Sequence, residues 1–265
     1  MSGLERFLVI ALGLVLGSFL NVVIHRLPRD ESLAHPGSHC PACQAPVRWF
    51  HNIPVLGYLA LRGRCASCGV RISPRYPLVE LLTALLFSFS YLGLPADLSA
   101  AVAQFRIWIF VLIGISVTFI DLDHRIIPHT LSFGGWGVGL LTCMADYRHG
   151  PWELVLASVA GFGFFFLFGL LYEKITGRVG LGGGDVNFMG TIGAFLGFGG
   201  IWSAILISSV TGSVIGILFA LWAKRQEGAS SGEDGVLRLK IPYGPFLVFG
   251  ALVELFFGVS SWIGL

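Results

Sequence analysis

Long apolar runs, separated by short polar connectors, dominate this chain from end to end. A helix of about 20 apolar residues is long enough to cross the hydrocarbon core of a bilayer. The pattern predicts eight such spans, at residues 6–24, 77–94, 100–120, 127–145, 153–172, 186–200, 202–222 and 242–263. The sixth is short and glycine-rich and reads as a tilted or partly re-entrant segment. The first apolar run, Phe7 to Ile24, has no basic lead and no small-x-small cleavage site, so it reads as a retained span rather than a signal peptide. Two polar stretches interrupt the pattern. Residues 25–76 are rich in Arg and Pro and hold four of the five cysteines, and residues 223–240 are rich in Ser and Gly and read as a mobile connector. The expected organisation is a first transmembrane helix at 1–24, a small soluble insert at 25–76 and a membrane core at 77–265, in an all-α polytopic protein.

Composition sharpens this. The chain of 265 residues is 55% hydrophobic and only 12% charged, with a mean hydropathy of +0.80. A soluble domain carries roughly twice that share of charge, so the lipid bilayer is the expected surrounding. The net charge of +2 is spread over connectors and implies no nucleic-acid partner. Its distribution sets orientation instead. With the insert on the cytoplasmic side, that side holds Arg26, Arg29, Arg48, Arg62, Arg64, Arg71, Arg75, Arg125, Lys174, Arg178, Lys224, Arg225, Arg238 and Lys240, against Arg6, Arg106 and Arg148 opposite. An excess of basic residues marks the cytoplasmic side, which places the N-terminus outside.

The insert contains "CPAC" and "CASCG". Cys40 with Cys43, and Cys65 with Cys68, form two C-x-x-C pairs about 20 residues apart, a zinc-ribbon-like spacing able to set four thiolates around one ion. Pro41 and Gly69 suit the tight turns of each knuckle. Two disulfides or a redox dithiol are the alternatives; a reducing cytoplasm argues against the first and the duplication against the second. Four protein ligands leave no open position, so the expected zinc is structural, and a polar insert of about 50 residues would draw much of its folding energy from it. His35, His39 and His51 are possible competing ligands. Cys143, inside an apolar span, reads as a buried hydrophobe.

Acids at a membrane boundary are costly unless paired, solvated or functional. "TFIDLDHRIIPH" places Asp121 and Asp123 where the third span meets the cytoplasm, and "GLGGGDVNF" places Asp185 at the same face at one end of the sixth. If those helices are neighbours, Asp121 and Asp185 can share a water, one carboxylate taking its proton while the other, protonated, polarises a scissile carbonyl. Gly182, Gly183 and Gly184 would let backbone or an extended peptide approach Asp185. The other reading is two solvated helix-end charges, with Asp185 favoured by a helix N-terminus; position alone leaves the two readings level. Asp123 and Arg125 read as loop charges or supporting partners, and His124 and His129 lack enough nearby ligands for a metal site.

The ordered set "GSFLNVVIHRLP", the two C-x-x-C pairs, "NIPVLGYLALRGRCASCGVRISPRYPLVE", "FIDLDHRIIP", "GGGD" and "IPYGPFL" resembles the type IV prepilin peptidases, over nearly the whole chain. These are bacterial inner-membrane aspartic peptidases that also N-methylate their products. The resemblance implies that prepilin or pseudopilin precursors, serving type IV pili or type II secretion, are cut after a glycine ending a short basic leader. The new N-terminal residue is then methylated with S-adenosylmethionine. It puts the catalytic aspartates at Asp121 and Asp185, with Gly182, Gly183, Gly184 and Asp123 in support, and the zinc ligands at Cys40, Cys43, Cys65 and Cys68. Leader recognition would fall to acids such as Asp30, Glu31 or Asp123.

Two positions depart from the family pattern: Asn187 stands where Lys is frequent, and His129 where Asp or Asn is usual. Both bear on the charge around the acid pair. No glycine-rich strand-to-helix fingerprint of soluble methyltransferases occurs, so the methyl-donor site has no assigned residues; the insert and adjoining helix ends are its expected place, with Glu80 an acid to test. The competing functions are a peptidase without methyltransferase activity, and a non-catalytic scaffold or transporter with charge deep in the spans, for which Glu254 and Glu80 would serve.

Overall fold

The computed structural model describes residues 2–91, 93, 95, 97–146, 148–177, 180–227 and 242–262. Arg178, Arg238, Lys240 and most of the 223–240 connector therefore lie outside the described residues. Among the described residues nine α-helices follow in order: α1 (Gly3–Arg26), α2 (Leu56–Ala60), α3 (Arg75–Ser90), α4 (Leu98–His124), α5 (His129–Leu141), α6 (Pro151–Thr176), α7 (Gly183–Glu227), α8 (Gly244–Phe257) and α9 (Val259–Trp262). Among the described residues β-structure amounts to two isolated bridges, both in the insert. Each apolar run expected from sequence contains a helix among the described residues, and the protein is multi-pass. Four described stretches are long and apolar enough to cross a membrane alone, at Gly3–Arg29, Leu98–His124, Pro151–Thr176 and Gly183–Phe219; α8 is apolar but shorter.

The chain forms two compact units, residues 1–120 and 121–265, with the boundary inside α4. In the first, α1 starts at a Ser2 cap whose hydroxyl accepts the Glu5 N–H, and it pairs antiparallel with α3. Small residues allow the approach: a Cβ at Gly13 would lie 2.5 Å from the Ala84 Cα, and one at Gly17 would lie 2.7 Å from the Glu80 Cα. Further along α3, Phe87 stacks on Trp108 of α4 with ring centroids 4.8 Å apart.

In the second unit α7 is the hub, packed against α5, α6 and α8. Its first half supplies the fully buried Phe188, Met189 and Ile192. The sixth and seventh predicted spans are one continuous helical stretch broken at Gly197, whose φ of 64° and ψ of −161° no L-residue adopts easily. The Glu153 carboxylate and the His149 ring lie against that glycine. Outward faces are apolar, as on α6, where Phe164 and Leu167 are exposed, which suits a lipid surrounding.

Candidate active site and metal centre

Asp121 lies in the last full turn of α4, and with 5% of its surface exposed it is buried. The helix continues past it to His124 and is closed by the Arg125 N–H, which donates to the Asp121 carbonyl at 2.9 Å, with Arg125 at φ 56°. Asp121 Oδ2 accepts the N–H of Gly244 at 2.8 Å. Gly244 opens α8, and the preceding Tyr243 gives no side-chain cap. Asp121 therefore caps a helix remote in sequence, where both the orphan N–H and the positive end of the helix dipole suit a carboxylate.

Asp185 sits half-buried in the first turn of α7. Asp121 is the charged neighbour that acts on it, so the two carboxylates lie within electrostatic range of one another. Their convergence is built by the connector between α4 and α5. A Cβ at Gly184 would stand 2.8 Å from the Ile127 Cβ and 2.9 Å from its carbonyl oxygen. Two hydrogen bonds then fasten the start of α5 to α7: Asn187 Nδ2 meets His129 Nδ1 at 2.9 Å, and Thr191 donates to the Ser132 carbonyl at 2.6 Å.

The three candidate glycines have different surroundings. Gly184 permits the close contact with Ile127. Gly182 faces Asp185, where a Cβ would come within 2.8 Å of Oδ2, and Gly183 has nothing within 4 Å. Asp123 is exposed in the final turn of α4. The two departures from the family pattern, His129 and Asn187, are partners of each other. Sequence reasoning missed Gly244 as a partner of Asp121. The signal available was the Tyr-Gly-Pro triplet, with proline in the first turn of a helix that lacks its own cap.

The cysteine knuckles are backbone copies of each other. The Cys40 N–H donates to Ala45 O at 2.9 Å and Cys40 O accepts from Gln44 at 2.8 Å; Cys65 pairs likewise with Val70 at 2.8 Å and Gly69 at 3.0 Å. Gln44 and Gly69 take the same left-handed turn, with φ of 58° and 72°. The bridges His39–Pro46 and Arg64–Arg71 close the two loops. All four sulfurs lie within 4.8 Å of one another, and Cys40 and Cys68 are 3.8 Å apart. Tetrahedral ligation at 2.3 Å separates sulfurs by about 3.8 Å, so the set fits one metal ion. Backbone N–H groups of Cys68 and Ser67 hold the Cys65 thiol down, to about 6. Cys68 is pushed up to about 11; the Val70 N–H works to lower it, but the Cys43 thiol, burial and the other sulfurs outweigh that. One thiolate thus forms readily and others only against it, a repulsion that a dication relieves. Among the described residues the metal-capable cluster is cysteine alone. His39 instead meets the Gly37 carbonyl at 3.0 Å, and the His51 ring packs on Phe50.

The two acids deepest in the spans have structural partners. Glu80 Oε2 accepts the Val55 N–H at 2.7 Å. Glu254 of α8 accepts from the Ser203 hydroxyl at 2.6 Å and the Ser260 N–H at 2.9 Å, joining α7, α8 and α9.

Comparison with known proteins adds an independent line. Residues 11–94 match a family model described as Bacterial Peptidase A24 N-terminal domain, and residues 108–217 match one described as Type IV leader peptidase family. A prepilin leader peptidase/N-methyltransferase of Myxococcus xanthus is 40% identical over 213 residues, covering 79% of this chain and 62% of that protein. One from Burkholderia pseudomallei is 32% identical over 291 residues, covering 99% and 88%. One from Aeromonas hydrophila is 34% identical over 282 residues, covering 96% and 92%. No solved structure matches.

Proposed function

Because the chain belongs to the type IV leader peptidase family, we propose that it is a membrane aspartic endopeptidase that removes the leader of prepilin-like precursors after a glycine. Its second activity is N-methylation of the newly exposed residue with S-adenosylmethionine, as the bifunctional name of its relatives indicates. The observation that carries the peptidase reading is the convergence of Asp121 and Asp185 at the first turns of α8 and α7.

Asp121 and Asp185 hold one proton between them, and the pair, not either residue, owns it. The ionised carboxylate draws a proton from a bound water, and that water attacks the scissile carbonyl. The protonated carboxyl polarises the carbonyl oxygen and then returns its proton to the departing amine. No acyl-enzyme forms. The Gly244 N–H keeps Asp121 in place through these changes, and Gly182, having no Cβ, leaves the Asp185 carboxylate open to an extended peptide.

The metal of the four-cysteine cluster is zinc in a structural role. The three-part division into helix 1–24, insert 25–76 and core 77–265 follows the same reading. The basic-residue bias places the insert and both aspartates at the cytoplasmic face of the inner membrane, where a leader is exposed before export. The substrates are type IV pilins or the pseudopilins of type II secretion, and Asp30, Glu31 and Asp123 are the acids available to a basic leader. Glu80, whose Oε2 accepts the Val55 N–H, is the acid to test for a part in the methyl-donor site.

The test is incubation of the purified protein with a prepilin, with and without S-adenosylmethionine, followed by mass spectrometry of the new N-terminus. Asp121→Asn and Asp185→Asn should each abolish cleavage and leave the protein folded. Cleavage retained in either variant removes that residue from the mechanism.

A further inference from the structure

The insert reads from sequence as a soluble element, yet part of it is fastened to α3 of the α1–α3 hairpin. Its mouth is formed by Arg26, ending α1, and Arg75, beginning α3. Glu80 lies five residues into α3 and packs at the level of Gly17, nine residues back from the end of α1. At 1.5 Å per residue these positions are about 8 and 13 Å below the mouth. Glu80, 7% exposed, is committed there to the Val55 N–H. The 2.7 Å bond keeps the Val55 backbone within about one helical turn of that buried carboxylate. Val55 is held at φ 60°, an unusual value for a β-branched residue. The carboxylate contact therefore fixes the start of α2 at a set depth.

The side chains displayed from that depth are apolar. Trp49 is 79% exposed, Leu56 64% and Leu59 63%, and Ile53 lies between them at 40%. Leu56 and Leu59 stand three apart in α2 and share a face. At the Glu80 level α3 itself turns Leu78 and Leu81 outward, 55% and 53% exposed, so the apolar outer surface of the hairpin continues into the insert. Residues 32–76 contain five arginines and no acid, and Arg48, Arg62, Arg64 and Arg71 are exposed. Exposed aromatic and aliphatic side chains under a basic rim match the boundary between headgroups and acyl chains, to which interfacial helices sink about 5–10 Å.

We infer that residues 49–60 are a membrane-interface element, seated in the inner-leaflet lipid beside the α1–α3 hairpin, with Glu80 as its depth anchor. The occupant of this surface is lipid. The inference rests on the multi-pass fold and on contacts within the first unit, and it stands whether or not the proposed peptidase chemistry is right.

The test uses the full chain in nanodiscs of phosphatidylethanolamine and phosphatidylglycerol, with a diazirine amino acid replacing Leu56, Leu59 or, as a control, the exposed Ser67 of the second knuckle. Illumination should give lipid adducts at 56 and 59 and only water insertion at 67, read by mass spectrometry. Glu80→Ala should abolish the adduct at 56, and Glu80→Gln, which still offers an acceptor, should keep it. Water insertion alone at 56 and 59 overturns the inference. So does an adduct that forms only with added prepilin, which would make the surface a substrate groove. The labelled positions are exposed, so zinc content and circular dichroism of each labelled protein should match the parent.

Discussion

Gly244→Ala tests the site at the contact that assembles it. A Cβ there would stand 2.9 Å from Asp121 Oδ2 and 3.2 Å from both its Cβ and Cγ. Reaching an ordinary contact near 3.5 Å requires a shift of about half an ångström. The shift can come from Asp121 turning away or from the start of α8 retreating. Either way the 2.8 Å bond from the Gly244 N–H to the carboxylate is stretched. A hydrogen bond to a charged group contributes about 1.5–3 kcal/mol. If that loss falls on the transition state, each 1.4 kcal/mol is a factor of ten, and kcat/KM for leader cleavage should drop about 10- to 150-fold. The assay is steady-state cleavage of a prepilin in detergent or nanodiscs, with thermal unfolding followed in parallel. Gly163→Ala is the control, since a Cβ at Gly163 meets nothing within 4 Å. Gly244→Ala with wild-type kcat/KM would refute the claim that this N–H positions Asp121. A loss matched by Gly163→Ala would show only a general effect of adding a methyl group.

Three further expectations can be checked with the same preparation. Gly184→Ala drives a methyl group into Ile127, whose carbonyl oxygen would lie 2.9 Å away, so it should separate the α4–α5 connector from α7 and lower cleavage, with an overpacking cost of about 1–3 kcal/mol read as a fall in thermal midpoint. Chelation, or Cys43→Ser, should remove one zinc per chain by elemental analysis and open residues 25–76 to protease; an unchanged metal content would sink the zinc assignment. Asp97 caps α4 by accepting the Ala100 N–H at 2.8 Å, and that bond, with the Ser99 hydroxyl, holds its carboxyl below the ordinary 3.8. The stabilisation is therefore complete above pH 3.8 and fades as pH falls through the lowered value, so the gap in thermal midpoint between wild type and Asp97→Ala should close in acid.

What could be read from the chain depended on the range of the interaction. Apolar run length marks helices because a helix satisfies its own backbone, and among the described residues each predicted run contains a helix, four stretches being long enough to span alone. The cysteine knuckles were equally legible, because each is closed by bonds within six residues. Gly197 was visible as one of several glycines, but only its packing against His149 and Glu153 selects it as the break in α7. The capping of α8 by Asp121, the His129–Asn187 pair and the Glu80 anchor each join residues far apart in sequence, and no local pattern announces such partners. Val55 is the extreme case: a β-branched residue gives no hint of a positive-φ backbone, which here accompanies a bond to a buried acid.

These long-range contacts share a physical logic. A carboxylate inside a multi-pass protein needs donors, and side-chain donors are scarce in a chain with 12% charged residues. The backbone supplies them where helices begin or are forced open, since those N–H groups lack intrahelical partners. Asp121 takes the N–H that opens α8, Glu80 the one that precedes α2, and Glu254 the Ser260 N–H at the start of α9. In each pair two orphan groups satisfy one another, so the acid fastens one segment to another. At Glu80 and Glu254 that fastening is the whole of the visible role. At Asp121 a second carboxylate lies within electrostatic range, and in the proposed mechanism the same device holds the charge that acts on a water. The proposed catalytic acid is thus a structural clasp with a neighbour, which is why removing its charge and crowding its glycine partner should impair cleavage by different routes.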